Sequence, residues 1–336
     1  MCIRDRVDAD IKGDLPTVDK KVQVDGTGKD ATDAKIGDTL TFTLTSTIPD
    51  MSAYDTYTFN FKDTLSKGLT FGQVKSVKVE NVTLTENTDY TVTTPTASNN
   101  NTLTVAMKDF KTKQQANAGK KITVTYTATL NENAVVGGAG NVNSAKIQYS
   151  NNPSTNGTGE SEPSKVRVFT YGFTVDKYTG DQYTDAATRL AGAEFTLAHK
   201  DGSAISFVQV SAGSATANAV YRVAKAGETG TTTITTPANG KVVFEGLKNG
   251  EYTLTETKAP AGYNKLASAI GVKVNGQNNG TDTTNATVTI TYNNDNGNDY
   301  NQTASNGVIP VQNKSGAILP GTGGMGTIAF TVIGVL

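Results

Sequence analysis

Tryptophan is absent from this chain, and cysteine, histidine and proline are scarce: one Cys, one His and nine Pro in 336 residues. So few thiols and imidazoles leave no raw material for a zinc-type cluster or a Cys–His catalytic pair; no metal site and no cofactor is expected. A lone thiol also excludes an internal disulfide. An excess of either charge is missing too, since 30 Lys and Arg stand against 31 Asp and Glu, a formal net charge of −1. That balance argues against a nucleic-acid partner, which calls for a basic footprint. No segment sustains a helical period.

What fills the chain is strand. Thr39–Thr47 reads TLTFTLTST, Lys121–Leu130 reads KITVTYTATL and Ala286–Tyr292 reads ATVTITY. β-Branched and aromatic residues alternating with polar ones give an all-β fold class. The length fits two domains. A turn-rich stretch, Ser150–Pro163, divides a first block, residues 18–163, from a second, residues 165–314. Both open on the same tripeptide, Val18-Asp19-Lys20 and Val175-Asp176-Lys177, so two tandem Ig-like β-sandwiches are expected. Lys108–Ala118 and the Ala-rich Tyr183–Leu190 are the two helix candidates. The opening Met1-Cys-Ile-Arg-Asp-Arg6 reads as the translation of a sequencing-library adapter, an assembly scar that would make Cys2 uninformative. Residues 7–17 read as a linker.

Alternate side chains of a strand share a face. By that parity Lys20 points with Val18, Val22 and Val24, and Lys177 points with Phe173 and Val175. Asp63 shares a face with Tyr57, Phe59 and Phe61, and Glu256 with Tyr252 and Leu254. Asn143 falls with Ala145, Ile147 and Tyr149, and Asn313 with Val311 and Ile309. Each block thus aims one lysine, one carboxyl and one asparagine at its core. An unpaired buried ammonium is very costly, so such a lysine must be paired, neutral or chemically altered. A desolvated lysine becomes a nucleophilic amine, and a desolvated carboxylic acid holds its proton and polarises a carboxamide. Attack of the amine on the asparagine would expel ammonia and leave an amide between two strands. An ordinary buried ion pair gives the same alternation, and so do lysines snorkelling from sheet ends.

Further motifs narrow the choice. The second block carries Leu190-Ala-Gly-Ala-Glu-Phe-Thr-Leu197 and Gly250-Glu-Tyr-Thr-Leu-Thr-Glu-Thr-Lys-Ala-Pro-Ala-Gly-Tyr263. The first carries Ile36-Gly-Asp-Thr-Leu-Thr-Phe42, Lys62-Asp-Thr-Leu-Ser-Lys-Gly-Leu-Thr-Phe71 and Asn143-Ser-Ala-Lys-Ile-Gln-Tyr-Ser-Asn-Asn-Pro153. Nearly everything after residue 7 resembles the sortase-assembled backbone pilins of Gram-positive bacteria. The second block is similar to their collagen-adhesin B-type (SpaA-like) domain, with Gly250–Tyr263 as its E-box, and the first to the fimbrial isopeptide-forming D2-type domain. The resemblance implies that Lys20 joins Asn143 with Asp63 as catalyst, and that Lys177 joins Asn313 with Glu256 as catalyst. Asn141 has the parity of Asn143 and competes with it; Lys21 points outward.

The same resemblance explains the end of the chain. Leu319, Pro320, Gly321, Thr322 and Gly323 match an L-P-x-T-G sorting signal, at which a sortase cysteine would attack the Thr322 carbonyl. Residues 315–336 are expected to be that signal with a truncated transmembrane segment, because Thr327–Leu336 is shorter than the roughly 20 residues of a span. Lys12, in the place of a pilin-motif lysine, is the acceptor candidate, with a solvated linker lysine as the plain alternative. The implied product is a shaft subunit of a secreted, peptidoglycan-anchored pilus, not an enzyme acting on other molecules. Its implied partners are sortase, other pilin subunits and peptidoglycan, with transient membrane retention during sorting. A wall-anchored adhesin that binds a host surface ligand is the second reading. His199 reads as a solvated turn residue, and Asn293–Asp299 as a disordered polar loop that lacks the distal glutamate of a calcium site.

Overall fold

A computed structural model describes residues 15–278 and 285–316; Cys2, Lys12 and the Leu319–Gly323 signal lie outside them. The described chain forms four sheets, two to each sandwich. In the first sandwich, one sheet centres on Asp19–Val24, Thr39–Thr47, Lys121–Leu130 and Leu69–Val79, and the facing sheet on Ser164–Phe169, Asn141–Ser150, Phe59–Leu65 and Thr102–Met107. Strict alternation drives this layering: Phe59–Leu65 buries Phe59, Phe61, Asp63 and Leu65 and turns Asn60, Lys62 and Thr64 outward. Phe42, Leu44, Val124 and Tyr126 answer them from the opposite sheet. Lys108–Ala118 is helical where expected, as a short α-helix Phe110–Gln114 continued by a 3-10 turn Gln115–Asn117; Phe110 plugs the core, stacked on Phe59 with centroids 4.5 Å apart.

In the second sandwich, Tyr171–Thr179 pairs with Lys241–Leu247 on one side and with the last strand, Val308–Gln312, on the other. The latter pairing is parallel, so the first and last strands of this domain run side by side in the same direction. The facing sheet is built around Glu194–His199, Gly250–Lys258, Ile270–Gln277 and Thr287–Asn293.

Three expectations need correction. Ser164–Phe169 does not open the second block; it pairs with Asn141–Ala145 and runs parallel to Ala31–Asp33, so the junction falls at Thr170 rather than at 163–165. Tyr183–Leu190 is not a helix. Tyr183 donates to Asp176 at 2.8 Å and Arg189 Nε lies 2.7 Å from the same buried carboxylate, and these contacts override the alanine propensity and hold the stretch as an irregular loop that ends in a two-residue strand, Thr188–Arg189, paired with Tyr178–Thr179. Asn293–Asp299 is an ordered loop. Buried Asn293 ties Gly271 N to the Gly297 and Asp299 carbonyls, and the Lys200 ammonium donates to Asn296 O at 2.6 Å and Gly297 O at 3.1 Å.

The two sandwiches meet through backbone as well as side chains. Ile36 N donates to Gly246 O at 3.0 Å, Ala286 N to Gly138 O at 2.8 Å, and Asp33 accepts from both the backbone and the side chain of Asn249. Gly138 is required at this junction, because a Cβ there would sit 2.2 Å from the Ala286 carbonyl oxygen. Among the described residues no helix is long and apolar enough to cross a membrane.

Candidate functional site

Each sandwich buries a constellation of a lysine, a carboxyl and an asparagine, and all six side chains are almost wholly withdrawn from water. In the first, Lys20 enters from the Asp19–Val24 strand, while Asp63 and Asn143 come from adjacent strands of the opposite sheet, where Asp63 pairs with Ala145 and Asn143 with Leu65. The Lys20 ammonium contacts Asp63 Oδ2 directly. It also donates to the Tyr126 hydroxyl at 2.9 Å and lies 5.1 Å from the ring centroids of both Phe42 and Tyr126. Tyr126 OH donates to Asp63 Oδ2 at 2.7 Å, and Asn143 Nδ2 donates to Tyr126 OH at 2.6 Å. Loss of hydration pushes Lys20 down to about 8 against the opposing pull of Asp63. Burial likewise holds the Tyr126 phenol well above its ordinary value, aided by the Asp63 charge.

Sequence parity did not single out Tyr126. Its signal is nevertheless readable: in Lys121–Leu130 it shares the apolar face of Ile122, Val124 and Ala128, and a buried phenol needs a partner. The competing Asn141 is committed elsewhere. Its Oδ1 accepts from Val135 N at 2.9 Å, and its Nδ2 donates to Val135 O and Val168 O, clamping the loop before its own strand. Lys21 points outward and pairs with Asp30 and Asp19.

The second constellation has a different layout. Lys177 sits opposite Val311 on the parallel neighbour strand, and Asn313, the residue just past that strand, donates its backbone N–H to Tyr178 O at 3.0 Å, so lysine and asparagine come from the same side of the sandwich. Glu256 rises from the facing sheet, opposite Phe195. Lys177 Nζ donates to Val311 O at 3.1 Å and stands 3.6 Å from Glu256 Oε1. Asn313 Nδ2 donates to Glu256 Oε2 at 3.0 Å and to Asn264 O at 2.9 Å, and Leu266 N donates to the same Oε2 at 2.7 Å. Desolvation again lowers the lysine, to about 8, with Glu256 opposing.

One irregularity is common to both sites. Asp63 Oδ1 and Asn143 Oδ1 in the first, and Glu256 Oε1 and Asn313 Oδ1 in the second, are buried acceptors without a hydrogen-bond donor among the described residues. An orphaned buried acceptor costs about 1–3 kcal/mol. In each site the two orphans are one carboxyl oxygen and the carbonyl oxygen of the asparagine. A proton resting on the carboxyl would turn that oxygen into a donor for the carboxamide.

The chain is thus two β-sandwiches in tandem, each with an amine, an acid and a carboxamide sealed between its sheets. Residues 36–153 match the model of the Gram-positive pilin backbone subunit 2, Cna-B-like domain, and residues 181–289 match that of the SpaA prealbumin-like fold domain. Each sandwich thus carries one of these two matches, the first to a pilin backbone domain and the second to a prealbumin-like one. Asp63 and Asn143 fall within the first match and Glu256 within the second. The chain is 26% identical over 279 residues to the trypsin-resistant surface T6 protein of Streptococcus pyogenes, covering 75% of this chain and 44% of that protein. It therefore spans less than half the length of that relative. Among solved structures, the 35 kDa C-terminal fragment of a Streptococcus agalactiae major pilin superposes with a TM-score of 0.62 at 23% identity, over 90% of this chain and 100% of that one. The T6 backbone pilin of S. pyogenes gives 0.58 at 18% identity, over 90% of this chain and 70% of that one. These superpositions share the fold.

Proposed function

We propose that this chain is a structural shaft subunit of a covalently polymerised cell-surface pilus, with each sandwich closed by its own Lys–Asn isopeptide bond. The observation that carries the reading is the twice-repeated set of a desolvated lysine, a buried acid and a carboxamide whose oxygen lacks a donor. The ion pair and its neutral form differ by one proton. Moving it from the ammonium to the carboxylate leaves a free amine and an acid that hydrogen-bonds the asparagine carbonyl. The amine nitrogen then bonds to the asparagine Cγ, the Cγ–Nδ2 bond breaks and ammonia departs. Each site reacts once and is consumed, so the chain is no enzyme in the ordinary sense. Lys20–Asn143 would tie one sheet to the other, and Lys177–Asn313 would tie the first strand to the last within one sheet.

Polymerisation would use the Leu319–Gly323 signal, with Thr322 as the residue a sortase transfers and Lys12 as the receiving amine on the next subunit. Other pilin subunits, sortase and, at the base, peptidoglycan would be its partners, on the outer surface of the cell. The test is the intact mass of the full chain: it should fall short of the sequence mass by two ammonias, and Asp63→Ala or Glu256→Ala should each restore one. A mass equal to the plain chain overturns the stapling. For assembly, incubation with a pilin sortase should yield ladders that Thr322→Ala abolishes. Ladders that persist in Lys12→Ala would move the acceptor elsewhere.

A further inference from the structure

The two sites solve one chemical step differently. An amide nitrogen leaves only as ammonia, so the tetrahedral adduct must deliver a proton to Asn Nδ2. In the second site the carboxyl reaches that nitrogen itself, with Glu256 Oε2 3.0 Å from Asn313 Nδ2. In the first site the acid is an aspartate, one methylene shorter, and Asn143 Nδ2 donates to the Tyr126 hydroxyl instead. That hydroxyl also accepts from Lys20 Nζ at 2.9 Å and donates to Asp63 Oδ2 at 2.7 Å. It is the one atom shown within hydrogen-bond distance of nucleophile, acid and leaving nitrogen together.

We infer that Tyr126 is a fourth catalytic residue of the first site, the relay that carries the proton from the attacking lysine nitrogen to the departing asparagine nitrogen. This rests on the stapling reading above. Lys20 first gives one proton to Asp63, and the free amine bonds to Asn143 Cγ while the acid hydrogen-bonds Oδ1. The new C–N⁺H₂ centre passes a proton to the Tyr126 oxygen as Tyr126 passes its own to Nδ2. The Cγ–Nδ2 bond then breaks, Cγ=Oδ1 reforms and ammonia leaves. An ammonium, a carboxamide and a carboxylate have become an amide, ammonia and a carboxylic acid, with hydrogen count and charge unchanged. The phenol starts and ends protonated, consistent with a site that strongly disfavours the phenolate. Its ring is fixed for the task, since Tyr126 pairs with Phe42 on the neighbouring strand and stacks on it at 5.3 Å.

The experiment is Tyr126→Phe in the full chain, which keeps the ring and removes only the hydroxyl. Protein is sampled at intervals after translation is stopped, and each bond is followed by peptide mass mapping. The second site serves as an internal clock. The expected result is normal closure of Lys177–Asn313 with Lys20–Asn143 closing at least tenfold more slowly, and with Asp63→Glu in the same chain restoring part of the rate by letting the longer acid reach Nδ2. Closure of both bonds at the unaltered rate in Tyr126→Phe overturns the relay while leaving the staples standing. Absence of the first bond from the unaltered chain would instead overturn the stapling of that domain, and the relay with it. A Tyr126→Phe chain whose first domain has lost its cooperative melting would mark the hydroxyl as structural and also overturn the relay.

Discussion

Replacing Asn313 by alanine probes the second staple while leaving the buried Lys177 and Glu256 side chains in place. What disappears is the acceptor carboxamide, whose Nδ2 the closed site would already have released as ammonia, and with it the covalent tie to Lys177. The covalent tie would close a long loop: Lys177 and Val311 are already 134 positions apart. Chain-entropy arguments give a cross-link over a loop of that size about 5 kcal/mol. For a domain of this size each kcal/mol moves the midpoint by roughly 2–4 °C, so the transition of the second sandwich should fall by roughly 10–20 °C. Differential scanning calorimetry of the full chain reads this directly, and intact mass run in parallel should show one fewer ammonia lost. An Asn313→Ala chain that has shed as many ammonias as the unaltered chain would refute the assignment of Asn313. An unchanged midpoint alongside a missing bond would refute the loop-closure reasoning.

The same variant has a pH signature. Burial lowers Lys177 from its ordinary 10.5 to about 8, so between those values the unfolded chain binds more protons than the folded one. The stability of Asn313→Ala relative to the unaltered chain should therefore rise with pH across that window, by about 3 kcal/mol at most, with the full penalty present below pH 8. Melting curves at pH 7 and pH 9.5 check the sign; the unaltered chain, in which the proposed staple would lock this nitrogen in an amide, should lack this rise. At the junction, Gly138→Ala forces a Cβ against the Ala286 oxygen and should cost about 1–3 kcal/mol. Small-angle scattering should then report a wider spread of angles between the two sandwiches.

Much of this architecture was legible because a strand has a period of two. A lysine on an apolar face breaks the alternation in a way no surface lysine does; parity put Lys20, Lys177, Asp63, Glu256, Asn143 and Asn313 on core faces, and the family resemblance supplied their pairing. Period cannot report what faces a side chain across the core. Tyr126 looked like one more aromatic on an apolar stripe, and only the packing of opposite sheets brings its hydroxyl to Lys20, Asp63 and Asn143 together. Asn141 and Asn143 have the same parity, and the choice between them depends on loop carbonyls that parity does not see. The junction was misplaced for a related reason: Ser164–Phe169 reads as strand in either block, and its partner lies about twenty residues back. The Tyr183–Leu190 stretch failed because the buried carboxylate of Asp176 outbids a weak local preference.

The parallel pairing of Tyr171–Thr179 with Val308–Gln312 decides where a stretched filament would yield. With both amides closed, tension would enter the second sandwich at Tyr171, leave the strand at Lys177 and exit through Asn313, and everything between those two residues hangs beside the line. The first sandwich is bypassed likewise from Lys20 to Asn143. Beyond Asn143 the route doubles back through the Ser150–Pro163 turn to Phe169, held by hydrogen-bonded ladders: Ser164–Phe169 on Asn141–Ala145 and on Ala31–Asp33, and Asn143–Tyr149 on Phe59–Leu65. Should those ladders unzip together, slack approaching 90 Å would be released at about 3.5 Å per residue. A shaft of such units would be inextensible at low load and would absorb a sudden pull at one recoverable clasp per subunit.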